Sequence, residues 1–233
     1  MEKWARQSVA GEEDSMKYTA NIVGICFSPR EEATAFSVKK ALEAAESVPG
    51  ISTTYVGAKA KKIATCRDCG ACLTRGQGCV IQDDFQELLR LYQMADGLII
   101  GSPVYGMNGS PLMYAFHSRL RSFFSQPGKS EAFCHKVGVG VAVGGTRHGG
   151  QEMVLNSIRN YFLASNMFTI GGPLNNYGGA AVWSNDRGAA GVEEDPESLR
   201  LLERLGKGLA IGTLIAKIGK QALEQEGIQV YIP

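Results

Sequence analysis

A short apolar run near the middle of the chain leads into a glycine-bearing loop, and this pair restricts the possible folds more than any other segment. The run spans residues 97–101 and contains only glycine, leucine and isoleucine, which is typical of a strand buried on both faces of a parallel sheet. The loop at residues 102–109 is followed by Ser110 and Pro111, which favour a helix cap and a first helical position. The segment predicts a strand, a loop and a helix, with the loop where open α/β sheets bind ligands. An ordinary connection without a ligand is the alternative.

Four further apolar runs have the length of strands, and segments with helical spacing separate them. The runs span residues 21–27, 51–56, 137–143 and 168–172. This alternation predicts an α/β fold, a doubly wound parallel sheet of five strands with helices on both faces. Right-handed crossovers favour the strand order 2-1-3-4-5. Asp84 and Glu87 have the spacing of a capping box for the helix before the central strand.

The chain has the length of one α/β domain with short extensions. Residues 1–17 are polar and without periodicity, so we expect a loose N-terminal extension. The domain is predicted at residues 18–222, with a cysteine-rich insertion at 57–82, and residues 223–233 form an apolar tail. A second long connection, rich in glycine and asparagine, spans residues 173–195. Connections of this length are usually functional, and we expect both to reach the same edge of the sheet or a neighbouring subunit.

Charge and hydropathy exclude several classes of partner. The formal net charge of +1 argues against nucleic acid as the main partner. No apolar run approaches the ~20 residues of a membrane span, and the first residues lack the apolar core of a secretory signal. We therefore expect a cytoplasmic protein, in which cysteines stay reduced and clustered cysteines indicate metal or redox chemistry.

Three loops that follow predicted strands are expected to meet at one edge of the sheet. They span residues 28–34, 102–109 and 144–151. The first loop places Ser28, Arg30 and Thr34 at a helix N-terminus, where N–H groups and hydroxyls suit a phosphate. The third loop has four glycines around Thr146, Arg147 and His148, which predicts a flat wall of N–H groups. A simple helix cap with a solvated arginine is the alternative for the first loop.

Four cysteines form the run C-x2-C-x2-C-x6-C at Cys66, Cys69, Cys72 and Cys79. Zinc sites usually pair two C-x2-C elements across a longer gap, whereas three closely spaced cysteines wrap one centre, as in iron–sulfur ligation. Because the sequence has no second set, all four are predicted to hold one [4Fe–4S] cluster. A cysteine loop without a bound cluster is the alternative. Cys26 and Cys134 are expected to be buried apolar residues.

Three segments of the chain resemble the NADPH-dependent FMN reductase family of flavodoxin-like proteins. They read SPREEAT from Ser28, SPVYGMNGSPLMYAFHSR from Ser102 and GGTRHGGQE from Gly144. Their order and spacing match the family over roughly residues 20–215. The cysteine run resembles that of the iron–sulfur flavoproteins, a branch of the same family. The resemblance implies a flavodoxin-like fold with bound FMN.

The resemblance also implies roles for the loop residues. Ser28, Arg30 and Thr34 would hold the FMN phosphate. One side of the isoalloxazine would lie against Pro103, Val104, Tyr105, Gly106, Met107 and Asn108, and its pyrimidine edge against Gly145, Thr146, Gly149 and Gly150. Arg147 and His148 would stabilise negative charge at N1 and O2 of the reduced flavin. One departure is Glu31-Glu32, two acids beside the phosphate where family members tend to have small or basic residues.

The activity implied by the resemblance is that of an FMN-dependent oxidoreductase. It would pass electrons between NAD(P)H or ferredoxin and a small-molecule acceptor, as a homodimer or homotetramer. A flavin electron carrier and a redox-sensing flavoprotein are the alternatives, and neither would turn over NAD(P)H with an acceptor. Five basic residues surround the cysteines: Lys59, Lys61, Lys62, Arg67 and Arg75. They predict either a solvated loop that offsets cluster charge or a docking patch for acidic ferredoxin, which salt would weaken.

Overall fold

The computed structural model describes residues 18–129, 131–171 and 178–231. The predicted N-terminal extension, residues 1–17, lies outside these ranges. So do residue 172 of the predicted fifth strand, residues 173–177 of the glycine- and asparagine-rich segment and the last two residues of the predicted tail. None of the helices in the described ranges is long and apolar enough to cross a membrane.

A parallel sheet forms the centre of the fold. Its strands are β1 (Ala20–Cys26), β2 (Ile51–Gly57), β3 (Gly97–Pro103), β4 (Val137–Gly144), β5 (Phe168–Thr169) and β6 (Ala180–Trp183). The order β2-β1-β3-β4-β5 confirms the prediction. All residues of β3 and β4 are buried, as expected for strands covered on both faces, whereas the edge strand β2 alternates half-buried and exposed residues over its first half.

The fifth position of the sheet differs from the prediction, because two short strands share it. β5 pairs with the start of β4 at Val137 and Gly138, and β6 pairs with the end of β4 over residues 141–144. The sheet therefore has six strands in the described residues, and the single strand predicted at residues 168–172 was wrong in length. β6 lies inside the long connection that the sequence left without regular structure.

Helices cover both faces of the sheet. They are α1 (Ala33–Glu46), α2 (Ala71–Arg75), α3 (Phe85–Met94), α4 (Pro111–Phe124), α5 (Gln151–Ala164), α6 (Gly188–Glu193) and α7 (Pro196–Gln225). α1, α6 and α7 pack on one face, and α3, α4 and α5 pack on the other, each around its own apolar core. The short helices α2 and α6 were not predicted, and α7 continues past the predicted domain boundary at residue 222.

Helix α3 begins with a capping box one residue earlier than predicted. Asp83 accepts a hydrogen bond from the Phe85 N–H (3.0 Å), and the Gln86 side chain accepts one from the Asp83 N–H (3.1 Å). Among the described residues the side chain of Asp84 makes no capping bond. The box predicted for Asp84 and Glu87 is therefore wrong, although the helix itself is where the pattern predicted it.

Candidate functional site

A cavity of about 260 Å³ opens at the carboxyl ends of β1, β3 and β4, and we call it the rim cavity. Of the predicted loop residues, its walls contain Ser28, Arg30, Thr34, Pro103, Val104, Tyr105 and Gly145. The other predicted residues, Gly106, Met107, Asn108, Thr146, Arg147, His148, Gly149 and Gly150, do not line it. The sheet topology thus brings all three loops together, as the strand order requires.

The first loop presents polar groups to the rim cavity at the start of α1. Ser28 accepts a hydrogen bond from the Arg30 N–H (3.1 Å), and Thr34 is buried in the first helical turn. The residue before the helix is Glu32, and its side chain accepts no capping hydrogen bond from the described residues. The N–H groups of the first turn therefore have no acceptor from the capping side chain. Such N–H groups, together with the helix dipole, favour the binding of an anion at this end of α1.

The two acids of the first loop point in different directions. Glu31 accepts hydrogen bonds from the Tyr55 hydroxyl at 2.9 and 3.0 Å and lies 3.5 Å from the Lys39 ammonium, so it is held towards β2. Glu32 lines the rim cavity and lies 3.6 Å from the Arg30 guanidinium. One of the two unfavourable charges is therefore removed from the cavity, and the other is offset by Arg30.

The second loop is fixed to the end of β1 by the cap of α4. The Ser110 hydroxyl donates to the Phe27 carbonyl (2.6 Å) and accepts from the Met113 N–H (3.3 Å), which confirms Ser110 as the helix cap. The loop then folds as a tight turn, because Tyr105 and Asn108 exchange backbone hydrogen bonds of 2.7 and 3.0 Å. Its tip exposes Tyr105, which is 42% accessible.

The third loop packs against the second through Gly150. A Cβ atom at Gly150 would lie 2.6 Å from the Met107 Cα, and its φ of +107° is one that favours glycine. The buried Gln151 side chain organises the loop, since it donates to the Thr146 carbonyl (2.5 Å) and accepts from the Gly149 N–H (2.8 Å). Sequence reasoning missed Gln151, because nothing distinguishes it from a surface residue of the following helix.

Arg147 and His148, the predicted catalytic residues, lie on the outer side of the third loop. Arg147 donates to Asp195 at 2.7 Å and lies 4.0 Å from the centre of the Trp183 ring, and His148 is exposed. Burial alone would raise the pKa of Asp195, but hydrogen bonds from Arg147 and Ser198 outweigh it and lower that pKa. The Arg147 guanidinium is therefore held beside an ionised partner.

A fourth loop completes the rim cavity, and sequence reasoning did not identify its residues. Ser184 and Asp186, between β6 and α6, and Gly188, the first residue of α6, line the cavity. Asn185 and Asp186 both have positive φ, 49° and 52°, a conformation that asparagine and aspartate tolerate better than most residues. The Ser-Asn-Asp-Arg-Gly run after an apolar stretch is a recognisable turn signal, and it would have located the loop.

The four motif cysteines line a second, smaller cavity of about 30 Å³, which we call the cysteine pocket. Cys66 and Cys69 are exposed and Cys72 and Cys79 are half-buried, with Cys72 on α2. The opposite wall is α4, which contributes Ser118, Arg119, Arg121 and Ser122. Cys26 and Cys134 are buried elsewhere, as predicted, and burial raises the pKa of the Cys26 thiol to about 11. Such a thiol is a poor ligand or nucleophile.

The charged residues around the cysteine pocket are mainly positive. Within the described residues, no three Cys, His, Asp or Glu side chains are close enough to hold one metal ion. A cluster spreads its ligands over several iron atoms, and with four thiolates it is an anion. Three arginines and one aspartate line the pocket, and one buried N–H there, the Nε of Arg119, has no hydrogen-bond partner among the described residues. These donors and charges fit an anionic sulfur-containing group.

Helix α4 joins the two cavities. Its first residue, Pro111, follows the second loop of the rim cavity, and Arg119 lines the cysteine pocket. A rise of 1.5 Å per residue puts about 12 Å of helix axis between these positions.

Comparison with known proteins identifies relatives over most of the chain. The family model described as NADPH-dependent FMN reductase matches residues 20–180. An iron–sulfur flavoprotein of Methanocaldococcus jannaschii is 38% identical over 186 residues, 78% of this chain and 91% of the relative. An iron–sulfur flavoprotein of Archaeoglobus fulgidus is 35% identical over 190 residues, 81% of this chain and 95% of the relative.

Solved structures with low sequence identity share the fold. A flavodoxin-type, WrbA-like protein from Agrobacterium tumefaciens superposes with a TM-score of 0.57 at 16% identity, covering 87% of this chain and 99% of the other. An NADH:FMN oxidoreductase in its apo form superposes with a TM-score of 0.57 at 19% identity, covering 83% and 89%. Together with the strand order, these likenesses establish a flavodoxin-like fold.

Proposed function

Because the chain belongs to the NADPH-dependent FMN reductase family, in its iron–sulfur flavoprotein branch, we propose that it is an FMN-dependent oxidoreductase with one [4Fe–4S] cluster. It would pass electrons between NAD(P)H or ferredoxin and a small-molecule acceptor. One observation carries the proposal: the three motif loops line one cavity, the four motif cysteines line another, and α4 connects the two.

The rim cavity would hold FMN, which when bound supplies hydride and single-electron chemistry. The first-turn N–H groups of α1, with Ser28, Arg30 and Thr34, would bind the phosphate dianion. The walls formed by residues 103–105 and Gly145 would fix the position of the ring. Gly106, Met107, Asn108, Thr146, Gly149 and Gly150 stay proposed contacts of the isoalloxazine, since they lie in the same loops beside the cavity.

Arg147 and His148 would favour negative charge on a reduced flavin from the outer side of the third loop. Arg147 carries a positive charge that Asp195, at 2.7 Å, partly balances, and His148 adds an exposed ring beside it. Replacing Arg147 with Gln should shift the flavin midpoint potential to a more negative value, measured by redox titration of the visible spectrum. An unchanged potential in both His148→Gln and Arg147→Gln would remove these residues from the proposal.

The cysteine pocket would hold the cluster through Cys66, Cys69, Cys72 and Cys79. Protein prepared without oxygen should contain FMN at about one per chain, with iron and sulfide at about four each. Cys69→Ala should lose the iron and keep the FMN, because the two cavities share no residues. Cys134→Ala is the matched control, since Cys134 is buried away from the pocket and should keep both groups. Stoichiometric zinc without sulfide would exclude the cluster.

The phosphate site is tested by comparing two forms of the flavin. Arg30→Ala and Thr34→Ala should weaken FMN more than riboflavin, because only FMN carries the charge that these residues would bind. Lys207→Ala is the control, since Lys207 pairs with Glu203 on α7 away from the cavity. Equal losses of affinity for the two flavins would contradict the phosphate assignment.

A ferredoxin-type donor would dock on basic residues around the cysteine pocket. Lys59, Lys62, Arg67 and Arg75 are exposed, whereas Lys61 is engaged with Glu87 at 2.7 Å. Reduction by ferredoxin should be fast at low salt and slower at high salt, because exposed charges are screened. Lys62→Glu should slow this reaction in stopped-flow measurements and leave reduction by NAD(P)H unchanged. Rapid NAD(P)H oxidation with no response to ferredoxin would leave a plain FMN reductase.

The homodimer or homotetramer stays a proposal, and an apolar surface on α7 supports it. Ile211, Ile215 and Leu223 are 44–66% exposed, and Phe168 on β5 is 50% exposed. Ile215, Leu223 and Phe168 line a groove of about 320 Å³. Exposed apolar residues in one groove are typical of a subunit interface. Sedimentation equilibrium should give an oligomer that Ile215→Glu dissociates, and a monomeric wild type would refute this part.

A further inference from the structure

Arg119 is a fully buried arginine that joins the two ends of the cysteine loop. Its side chain has no exposed surface. Nη1 donates to the Ala64 carbonyl (3.3 Å) and Nη2 donates to the Ile81 carbonyl (2.7 Å). Ala64 precedes the first motif cysteine and Ile81 follows the last, so one guanidinium on α4 holds both ends of the segment that carries all four thiols.

Asp83 completes this closure as the partner of Arg119. Nη1 of Arg119 lies 2.7 Å from each carboxylate oxygen of Asp83. The same carboxylate accepts the Ala64 N–H (2.8 Å) and the Phe85 N–H (3.0 Å). Burial alone would raise the pKa of Asp83, but the bonds from Arg119, Ala64 and Phe85 outweigh it and lower that pKa. The pair is therefore ionised and ties the start and the end of the loop to α3 and α4.

One donor of Arg119 is left over. Nε is buried and has no hydrogen-bond partner in the described part of the chain, although Nη1 and Nη2 are both used. A buried N–H without an acceptor costs about 1–3 kcal/mol, so an acceptor is expected when the site is complete. Arg119 lines the cysteine pocket, where the predicted occupant brings sulfur acceptors and negative charge.

We infer that Arg119 is the positioning residue of the cysteine pocket: it closes the loop before the cluster is bound, and its Nε–H donates to a sulfur of the bound cluster or of a cysteine. The hydrogen bond from Nε–H to the cluster rests on the proposed function, whereas the loop closure does not. A hydrogen bond to sulfur and a nearby positive charge both stabilise the more negative, reduced form of a cluster. Arg119 would therefore raise the reduction potential as well as retain the iron.

Arg119→Lys tests this in the full-length, FMN-bound protein. Lysine keeps the positive charge beside Asp83 but lacks the fork and the Nε–H. Iron should be released to a chelator about 10–100-fold faster, because losing an outer-shell partner typically lowers metal affinity by that factor. The cluster midpoint potential, measured by EPR-monitored titration, should become more negative, and the FMN content should not change.

Arg90→Lys is the matched control. Arg90 is an exposed arginine on α3 and lines neither cavity. This variant should release iron at the wild-type rate. If Arg119→Lys also behaves as the wild type in iron release and potential, the inference is wrong. A residue with a purely structural role would lower the unfolding temperature and release FMN together with the iron.

A second variant covers the case in which Arg119→Lys fails to fold. The double change Asp83→Asn with Arg119→Gln removes both buried charges and leaves no unpaired carboxylate, the usual cause of large destabilisation. It should retain FMN and release iron faster than the wild type. Wild-type iron retention in the double variant would overturn the inference.

A last readout needs no cluster and separates the inference from the proposed function. After iron removal, trypsin cleaves a loosened loop at Arg67 or Arg75, which are both exposed. Cleavage should be faster in Arg119→Lys than in the wild type and Arg90→Lys. If the wild type never contains iron and sulfide but this difference is found, the cluster is refuted and the loop closure stands. Equal cleavage rates in all three proteins would refute the loop closure.

Discussion

His117 should make the fold sensitive to mild acid. Its ring is stacked on Tyr161, with centroids 3.8 Å apart, and lies 6.0 Å from Phe27 and 5.8 Å from Phe116. Both ring nitrogens are buried and have no hydrogen-bond partner among the described residues. Burial lowers the pKa of His117 to about 3, because the charged form would lose its hydration without gaining a partner.

The size of the effect follows from the difference between the folded and unfolded pKa values. An unfolded histidine has a pKa of about 6.5, so between that pH and about 3 the unfolded chain binds a proton that the folded chain does not. The contribution of His117 is fully present above pH ~6.5 and falls by about 1.4 kcal/mol per pH unit below it. At pH 5 the loss is about 2 kcal/mol. Asp83 and Asp195 add little to the pH dependence at pH 5, because the pKa of each carboxyl is lowered in the folded protein and both contributions are lost mainly below pH ~4.

The measurement compares His117→Phe with the wild type by urea unfolding at pH 7.5 and pH 5.0, with FMN in excess for both. Phenylalanine keeps a flat ring beside Tyr161 and cannot titrate. The wild type should lose about 2 kcal/mol more than the variant between the two pH values. Phe123→Leu is the control, since it alters a buried ring on the same helix without removing a titratable group, and its cost should be the same at both pH values. A difference between wild type and His117→Phe that is the same at both pH values would refute the argument.

Two further changes test the loops of the rim cavity. Ser110→Ala should lower the free energy of unfolding by about 2–3 kcal/mol, because it removes a helix cap and a buried hydrogen bond at once. The control Ser125→Ala, at the other end of α4, should lower it by about 0.5 kcal/mol. Urea unfolding measures both values. Gly150→Ala should weaken FMN roughly tenfold in a fluorescence titration, because a Cβ atom there meets Met107 and the φ is strained. Gly219→Ala, in open space on α7, should leave FMN affinity unchanged, and a similar loss in this control would refute the loop contact.

The segment around the central strand could be predicted almost completely, because its signals are local. The apolar run at residues 97–101 needs two buried faces, and Ser110 and Pro111 specify a helix start by their own chemistry. The same holds for the strand order, which follows from right-handed connections between parallel strands. The meeting of the three loops at one edge is a direct consequence of that order.

Features that depend on distant partners could not be read from the sequence. β6 has only four residues, and its pairing with β4 defines it as a strand. The sequence predicted Asp84 as the cap of α3, whereas Asp83 takes this role while it also pairs with Arg119, 36 residues away. Within α4, Arg119 has the sequence context of a surface residue, and its complete burial appears only when the cysteine loop folds over the helix.

Helix α4 sets the relative orientation of the two cavities as well as their separation. A single residue inserted between Pro111 and Arg119 would turn everything after it by about 100° around the helix axis. Ser110 would still cap the helix and every motif residue would still be present, yet the guanidinium would point away from Ala64 and Ile81. The number of residues between the loop motif and Arg119 is therefore a sequence signature in its own right. A chain with both motifs but a different spacing should keep its flavin loops and lose the closure of its cysteine loop.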